Sequence, residues 1–289
     1  MPAQDGRLKC VSLLSCIGVA PRYLLPLSDE FNKRFTLKSY VNNNAPTIPA
    51  QMESIRSEIH AADVFIYHNP EWLPVLGDQY ERYEALLDEL PDRLIKISYP
   101  LPHFHFLWPF HANEPRNENS HRPINRHGVQ PVYHYGDSYV LDLLKKGDPF
   151  EQIIDKYLAL NVGDVVDLDR LANSTLSHAR RTDETTVVKV GDYLEGNFRT
   201  SRVFQTINHG ANPLHFFMVN QILNILDCPQ LPSTVFDQTR ELIGEPVPIH
   251  PSVARHFGLA YADESTRYAV DDLRNLTFSE YIRAYVYFS

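Results

Sequence analysis

Apolar residues in this chain come in short runs closed by turns, and two of those runs end in reactive side chains. One is Val11-Ser12-Leu13-Leu14-Ser15-Cys16-Ile17-Gly18. The other is Arg202-Val203-Phe204-Gln205-Thr206-Ile207-Asn208-His209-Gly210. A run of this length reads as a β-strand, and the turn leaves its last side chain at the edge of the sheet. In open α/β sheets that edge is where ligands bind. If the two strands are parallel neighbours, the Cys16 thiol or the Ser15 hydroxyl meets the His209 imidazole. Nucleophile plus imidazole is the basis of acyl-transfer chemistry. A helix starting near Pro21 would favour the Cys16 thiolate through its dipole, and Ser15 is the rival nucleophile at the same turn. Asn208 can orient the imidazole or donate to an oxyanion. The plainer readings are a small buried hydrophobe for Cys16 and a structural imidazole for His209.

The rest of the pattern alternates strands with helices. Leu8 to Leu14 is the first strand, and Asp63 to Tyr67, stopped by Asn69-Pro70, is a second short buried one. Leu94 to Ser98 is another. Helices are expected over Ile48 to Ala62, Asp78 to Leu90, Val165 to Ser177, Thr185 to Phe198, Pro213 to Leu226, Pro251 to Phe257 and Phe278 to Tyr287. Asp137 or Ser138 caps a helix carrying Val140, Leu141 and Leu144, and Gly147-Asp148-Pro149 separates it from the next. Residues 99–136 break the alternation. They hold several prolines, six histidines and Phe104, Phe106, Trp108 and Phe110, so a long irregular but packed loop is expected there. The expectation is a single domain over 1–289, with more helix than strand and a small parallel sheet.

Composition narrows the function. With 43% hydrophobic residues in 289, the chain can bury a sizeable core. A net charge of -9 argues against nucleic-acid binding, which needs a basic footprint. Three cysteines, at 10, 16 and 228, form no disulfide framework and suit a reducing, cytoplasmic setting. No stretch approaches the ~20 apolar residues of a membrane span. Arg7, Lys9 and the apolar run to Ala20 imitate a signal peptide, but Ser12, Ser15 and Pro21 fit a first strand better. Arg199 and Arg202 flank two hydroxyls and can grip phosphate, as can Arg180 and Arg181; solvated helix ends are the alternative. His103, His105 and His111 lack a carboxylate or thiolate at ligand spacing, so no metal site is expected. Gly136-Asp137-Ser138 imitates the nucleophile motif of GDS hydrolases, but no later histidine has an aspartate three residues before it, and a helix cap is the better reading.

Asp192-Tyr193-Leu194, Asn197-Phe198-Arg199, Arg202 to Thr206 and Asn208-His209, followed by a helix, together resemble the WcbI-like family of polysaccharide-biosynthesis acetyltransferases. The segment looks like the family's arginine-rich stretch and its Thr-x-Asn-His motif. Cys16 after the first strand, Ala62 to Ile66, Tyr135-Gly136-Asp137 and Ile249-His250-Pro251 follow in order, so the match spans most of the chain. Where the family often has Gly-Asn-Cys-Gln, this chain has Leu14-Ser15-Cys16-Ile17, and Gly210 replaces a common proline. The expected fold is therefore α/β and helix-rich, with many helices around a small parallel sheet in an SGNH- or Rossmann-like layered architecture.

The resemblance implies coenzyme A or acetyl-CoA as cofactor and a sugar hydroxyl, on a glycan or nucleotide-sugar precursor, as acceptor in capsule or exopolysaccharide synthesis. His209 would take the acceptor's proton, Cys16 would carry the acyl group or hold the thioester, and Arg199 and Arg202, with Arg181 behind them, would meet the cofactor phosphates. Direct transfer is the simpler route, since a base beside the acceptor already suffices. An esterase or thioesterase using water, and a non-catalytic protein binding coenzyme A or glycan, are the alternatives.

Overall fold

A computed structural model describes residues 6–41, 49–69, 80–116, 133, 135–242, 246–270 and 274–288. The strands, in chain order, are β1 (Leu8–Leu14), β2 (Phe35–Val41), β3 (Val64–His68), β4 (Ile95–Tyr99), β5 (His111–Ala112), β6 (Gly136–Asp137), β7 (Arg267–Ala269) and β8 (Asn275–Thr277). The first six helices are α1 (Ala20–Leu24), α2 (Asp29–Arg34), α3 (Pro49–His60), α4 (Tyr80–Asp88), α5 (Ser138–Lys146) and α6 (Phe150–Leu158). The remaining six are α7 (Leu168–Thr185), α8 (Gly191–Asn197), α9 (Asn212–Ile225), α10 (Ser233–Gln238), α11 (Pro251–Phe257) and α12 (Phe278–Val286). No helix of the described residues is long and apolar enough to cross a membrane.

The chain divides into two compact units. The first comprises residues 1–103, 176–196 and 208–242 and holds a four-stranded parallel sheet in the order β2-β1-β3-β4. The register sets Leu13 beside Tyr67 and His68 beside Tyr99. Side chains alternate across the pleat, so Val11, Leu13 and Phe65 share one face. There they pack with Ile55 and Ile59 of α3 and Leu86 of α4. Cys10, Ser12, Leu14, Val64, Ile66 and His68 belong to the other face. Ser12 and Ser39 satisfy each other across β1 and β2 at 2.8 Å.

β2 goes unread in the sequence because Phe35-Thr36-Leu37-Lys38-Ser39-Tyr40-Val41 mixes polar and apolar residues, as a half-exposed edge strand does. The helix expected over Thr185 to Phe198 occupies only Gly191–Asn197. The β-branched run before it lies along β4 instead, with the Val187 amide donating to the Ser98 hydroxyl at 2.7 Å. Asp183 accepts from the amides of Val190 and Gly191, which starts α8.

The second unit comprises residues 104–175, 197–207 and 243–289. The strand expected from Arg202 to Ile207 lies here, and it is not a strand. Its apolar residues are buried by aromatic loops. Phe204 stacks on Phe104 with ring centroids 4.7 Å apart, and Phe106 meets Phe198 and Phe257 edge-on. Its backbone is satisfied there too: Ile207 accepts from the Phe104 amide at 2.6 Å and Gln205 from the Val247 amide at 2.8 Å. With core and backbone partners both supplied by loops, a ladder has nothing to add. The described part of the 99–136 loop is packed, with Phe104 and Phe106 fully buried. His121, His127 and His134 lie outside the described residues. A second core joins Ile153, Ile154 and Tyr157 of α6 to Tyr281, Ile282 and Tyr285 of α12.

Candidate active site

Sheet topology selects one position. β1 is followed by β2 on one side, and the chain then crosses to β3 on the other side of β1. The strand order reverses between β1 and β3, and the crevice beyond the carboxyl ends of two such strands is where α/β sheets bind ligands. β1 runs out into Ser15 and a 3-10 turn, Cys16–Gly18; β3 ends on His68.

Those two ends meet. The Ser15 hydroxyl lies 3.2 Å from His68 Nε2, and His68 Nδ1 lies 3.0 Å from the Tyr99 carbonyl at the end of β4. A carbonyl only accepts, so Nδ1 carries the ring proton. Nε2 is then a lone pair facing Ser15, whose hydroxyl donates to it. This is the arrangement of a nucleophile, its base, and a third group that sets the base's tautomer. His68 is 1% exposed, whereas Ser15 and Cys16 are partly exposed. Burial pushes the imidazole pKa down to about 4, against the opposing pull of the Tyr99 hydrogen bond. The ring is neutral at pH 7. The buried Tyr83 hydroxyl donates to the His68 carbonyl at 3.0 Å and holds the end of β3.

Sequence reasoning missed His68. The signal was present, since Asp63 to Tyr67 has the same strand-then-turn pattern that drew attention to Cys16 and His209. What it lacked was the pairing. A strand at Arg202 to Ile207 was expected beside β1, and β3 holds that place.

The other expected residues fall as follows. Cys16 follows Ser15 at the mouth of the turn. Asn208 and His209 are half-buried on the loop before α9. His209 lies near His215, a fully buried imidazole whose pKa is pushed down to about 4 by burial and then by His209. Gly210 lies against that ring, where an added Cβ would stand 2.9 Å from His215 Nε2. Arg181 is exposed on α7, while its neighbour Arg180 is ion-paired with Glu195. In the second unit the Arg199 guanidinium lies over the Phe198 ring at 4.3 Å. Arg202 faces the rings of Tyr268 at 4.9 Å and Tyr261 at 5.6 Å. Stacking of this kind pre-orients a guanidinium.

The second unit also has a small cavity of about 50 Å³, lined by Trp108, Phe110, His111, Tyr135, Asp137 and neighbouring aromatic residues. Asp137 is the N-cap of α5, accepting from the Val140 amide at 3.0 Å, as the helix-cap reading of Gly136-Asp137-Ser138 has it. Burial raises its carboxyl to about 6, against hydrogen bonds from Tyr157 and two backbone amides. Among the described residues, no three His, Cys, Asp or Glu side chains gather to hold a metal ion.

No curated protein matches the chain. Among solved structures it is similar to native WcbI, a polysaccharide biosynthesis enzyme, in a form without a disulfide bond between coenzyme A and one of its cysteines. The two are 17% identical, with a TM-score of 0.72 over 97% of this chain and 89% of that one. At that identity the likeness establishes a shared fold: helix-rich α/β around a parallel sheet. The sequence model of the family described as "Polysaccharide biosynthesis enzyme WcbI" matches residues 22–231. That is well over half of the sequence, and the chain belongs to the WcbI family of polysaccharide biosynthesis enzymes.

Proposed function

We propose that this chain is an acetyl-CoA-dependent O-acetyltransferase acting on a sugar hydroxyl, in a glycan or nucleotide-sugar precursor of a capsule or exopolysaccharide. The observation that carries this reading is the reversal of strand order beside β1. It brings Ser15, with Cys16 next in the chain, to the carboxyl edge of the sheet, where the Ser15 hydroxyl meets the His68 imidazole. The similar solved structure adds a chemical reason, since that protein is in a form without a disulfide bond between coenzyme A and one of its cysteines. In this reading Cys16 holds the thioester sulfur, and His209, oriented by Asn208, takes the acceptor's proton. Arg199 and Arg202 are the candidates for the cofactor phosphates, with Arg181 next. Acetyl-CoA as donor places the reaction in the cytoplasm.

Calorimetry with coenzyme A and acetyl transfer to sugar acceptors test the proposal together. Binding with transfer is expected. Arg199→Ala/Arg202→Ala is expected to weaken binding by about tenfold or more and to reduce its salt sensitivity, because phosphate contacts are charge-assisted. His209→Ala is expected to lose transfer and keep coenzyme A affinity, since a general base acts in the transition state. Full transfer by His209→Ala removes that residue from the mechanism. The Ser15–His68 pair favours a second reading, a thioesterase, which acetate release in the absence of any sugar would mark.

A further inference from the structure

We infer that Ser15, activated by His68, is the group that accepts the acyl chain from the donor, so that transfer proceeds through an oxygen ester on this serine. The inference rests on the proposed reading for the identity of the thioester donor but not for the chemistry of the pair.

Three observations carry it. His68 Nε2 faces the Ser15 hydroxyl at 3.2 Å with its lone pair free to take the proton, because Nδ1 is committed to the Tyr99 carbonyl. The base is buried and its partner is partly exposed, so the hydroxyl is the member of the pair that a substrate reaches. Gly18 lies directly against the imidazole: an added Cβ would stand 2.9 Å from Nε2 and 2.8 Å from Leu14 Cβ. Only a residue without a side chain lets the turn close over the base. One ring nitrogen is held by the carbonyl at the end of β4, and the other is aimed at a hydroxyl at the carboxyl edge of the sheet.

The step balances without any further reagent. Ser15 Oγ bonds to the acyl carbon as its proton passes to His68 Nε2. The carbon–sulfur bond breaks, and the departing thiolate takes that proton and leaves as a thiol. In the second half the acceptor hydroxyl attacks the serine ester. On this route His68 Nε2, in place of His209 in the direct route, takes its proton and passes it to Oγ, which leaves as the serine hydroxyl. With water in place of the sugar the product is acetate.

The test uses p-nitrophenyl acetate, an acyl donor that needs no coenzyme A recognition, with rapid quench and peptide mapping of the full chain. The expected result is one acetyl group on Ser15 that survives neutral hydroxylamine, as an oxygen ester does and a thioester does not. Cys16→Ser is expected to keep that label on Ser15, and Ser15→Ala to lose it. Ser15→Ala removes one hydrogen bond at a partly exposed site, so its folding is secure and circular dichroism checks it. His68→Gln is expected to slow acylation by about 100-fold or more. The wild-type rate should stay level from pH 8 down to about 5 and drop as pH nears 4, where His68 protonates. An unassisted serine would instead lose rate steadily over the whole range.

Label on Cys16, no label on Ser15, or a His68→Gln rate equal to wild type overturns the inference. A coenzyme A isotherm on the same protein separates the two proposals. Binding without Ser15 acylation leaves the proposed function standing and the serine route excluded. Acylation without binding leaves the serine route standing and the donor assignment excluded.

Discussion

Gly18 and His68 show how much of this site is decided by single atoms. The atom nearest an alanine Cβ at position 18 is Leu14 Cβ, which is anchored to its own backbone and cannot swing away, and the next is the base itself. Gly18→Ala should therefore displace the imidazole. We expect acylation of Ser15 to fall at least tenfold and the melting temperature to fall with it, as overpacking costs about 1–3 kcal/mol. Burial at this scale also sets an acid limit. His68 and His215 both have pKa values lowered to about 4, below the ordinary 6.5. A lowered histidine is stabilising while it stays neutral, so its contribution is complete above about 6.5 and is lost as pH falls toward 4. Thermal melts from pH 7 to 4 should show that loss, and His215→Gln should flatten part of it. A wild-type melt level across this range would mean that these rings are solvated.

Among the elements, α5 and α12 have the most readable starts. Asp137 accepts from the Val140 amide, and Thr277 and Glu280 form a reciprocal capping box. Asp137→Ala should cost about 1 kcal/mol, the usual value of a lost cap. Asp137→Asn keeps an accepting oxygen and should cost less. The sign of its pH dependence is opposite to that of the histidines. A carboxyl raised to about 6 stabilises the fold while protonated, below its ordinary 3.8, and that benefit is gone once pH passes 6. Denaturation of the Asn variant and wild type at pH 4 and pH 7 should show the variant gaining relative to wild type at the higher pH. The cap at Asp137 was legible because capping is local, fixed by residues three apart. The strand expected at Arg202 to Ile207 failed for the complementary reason. An apolar run records that a segment is buried, not whether a sheet or a set of aromatic rings buries it.

On the scale of the whole chain, long-range ties carry the second unit. Glu114, whose side chain is fully buried, receives Arg116 through two nitrogens and the Tyr285 hydroxyl at 2.6 Å. Burial alone would raise its pKa; the hydrogen bonds from Arg116 and Tyr285 overcome that and leave it below the usual range. Arg116 also donates to the carbonyls of Tyr285 and Phe288, so the long loop is fastened to the end of α12. Arg116→Ala leaves a buried carboxylate unpaired and should cost about 3–5 kcal/mol. Glu114→Gln/Arg116→Met, which removes both charges, should recover much of that in urea denaturation. If the single variant is as stable as wild type, the pair is a surface contact only.

What the sequence determined by itself is whatever short-range chemistry controls. It marked the first strand, most helices, the cap at Asp137 or Ser138, the break at Gly147-Asp148-Pro149, and the turn bearing Ser15 and Cys16, because periodicity, proline and capping act over a few residues. It also carried the family, through the ordered segments from Asp192 to His209. Only the tertiary structure decided which strand lies beside β1. That depends on which of several apolar runs, 50 to 190 residues away in sequence, buries its face there, and no local pattern encodes the choice. β3 took the place, and with it His68 came within hydrogen-bond reach of Ser15.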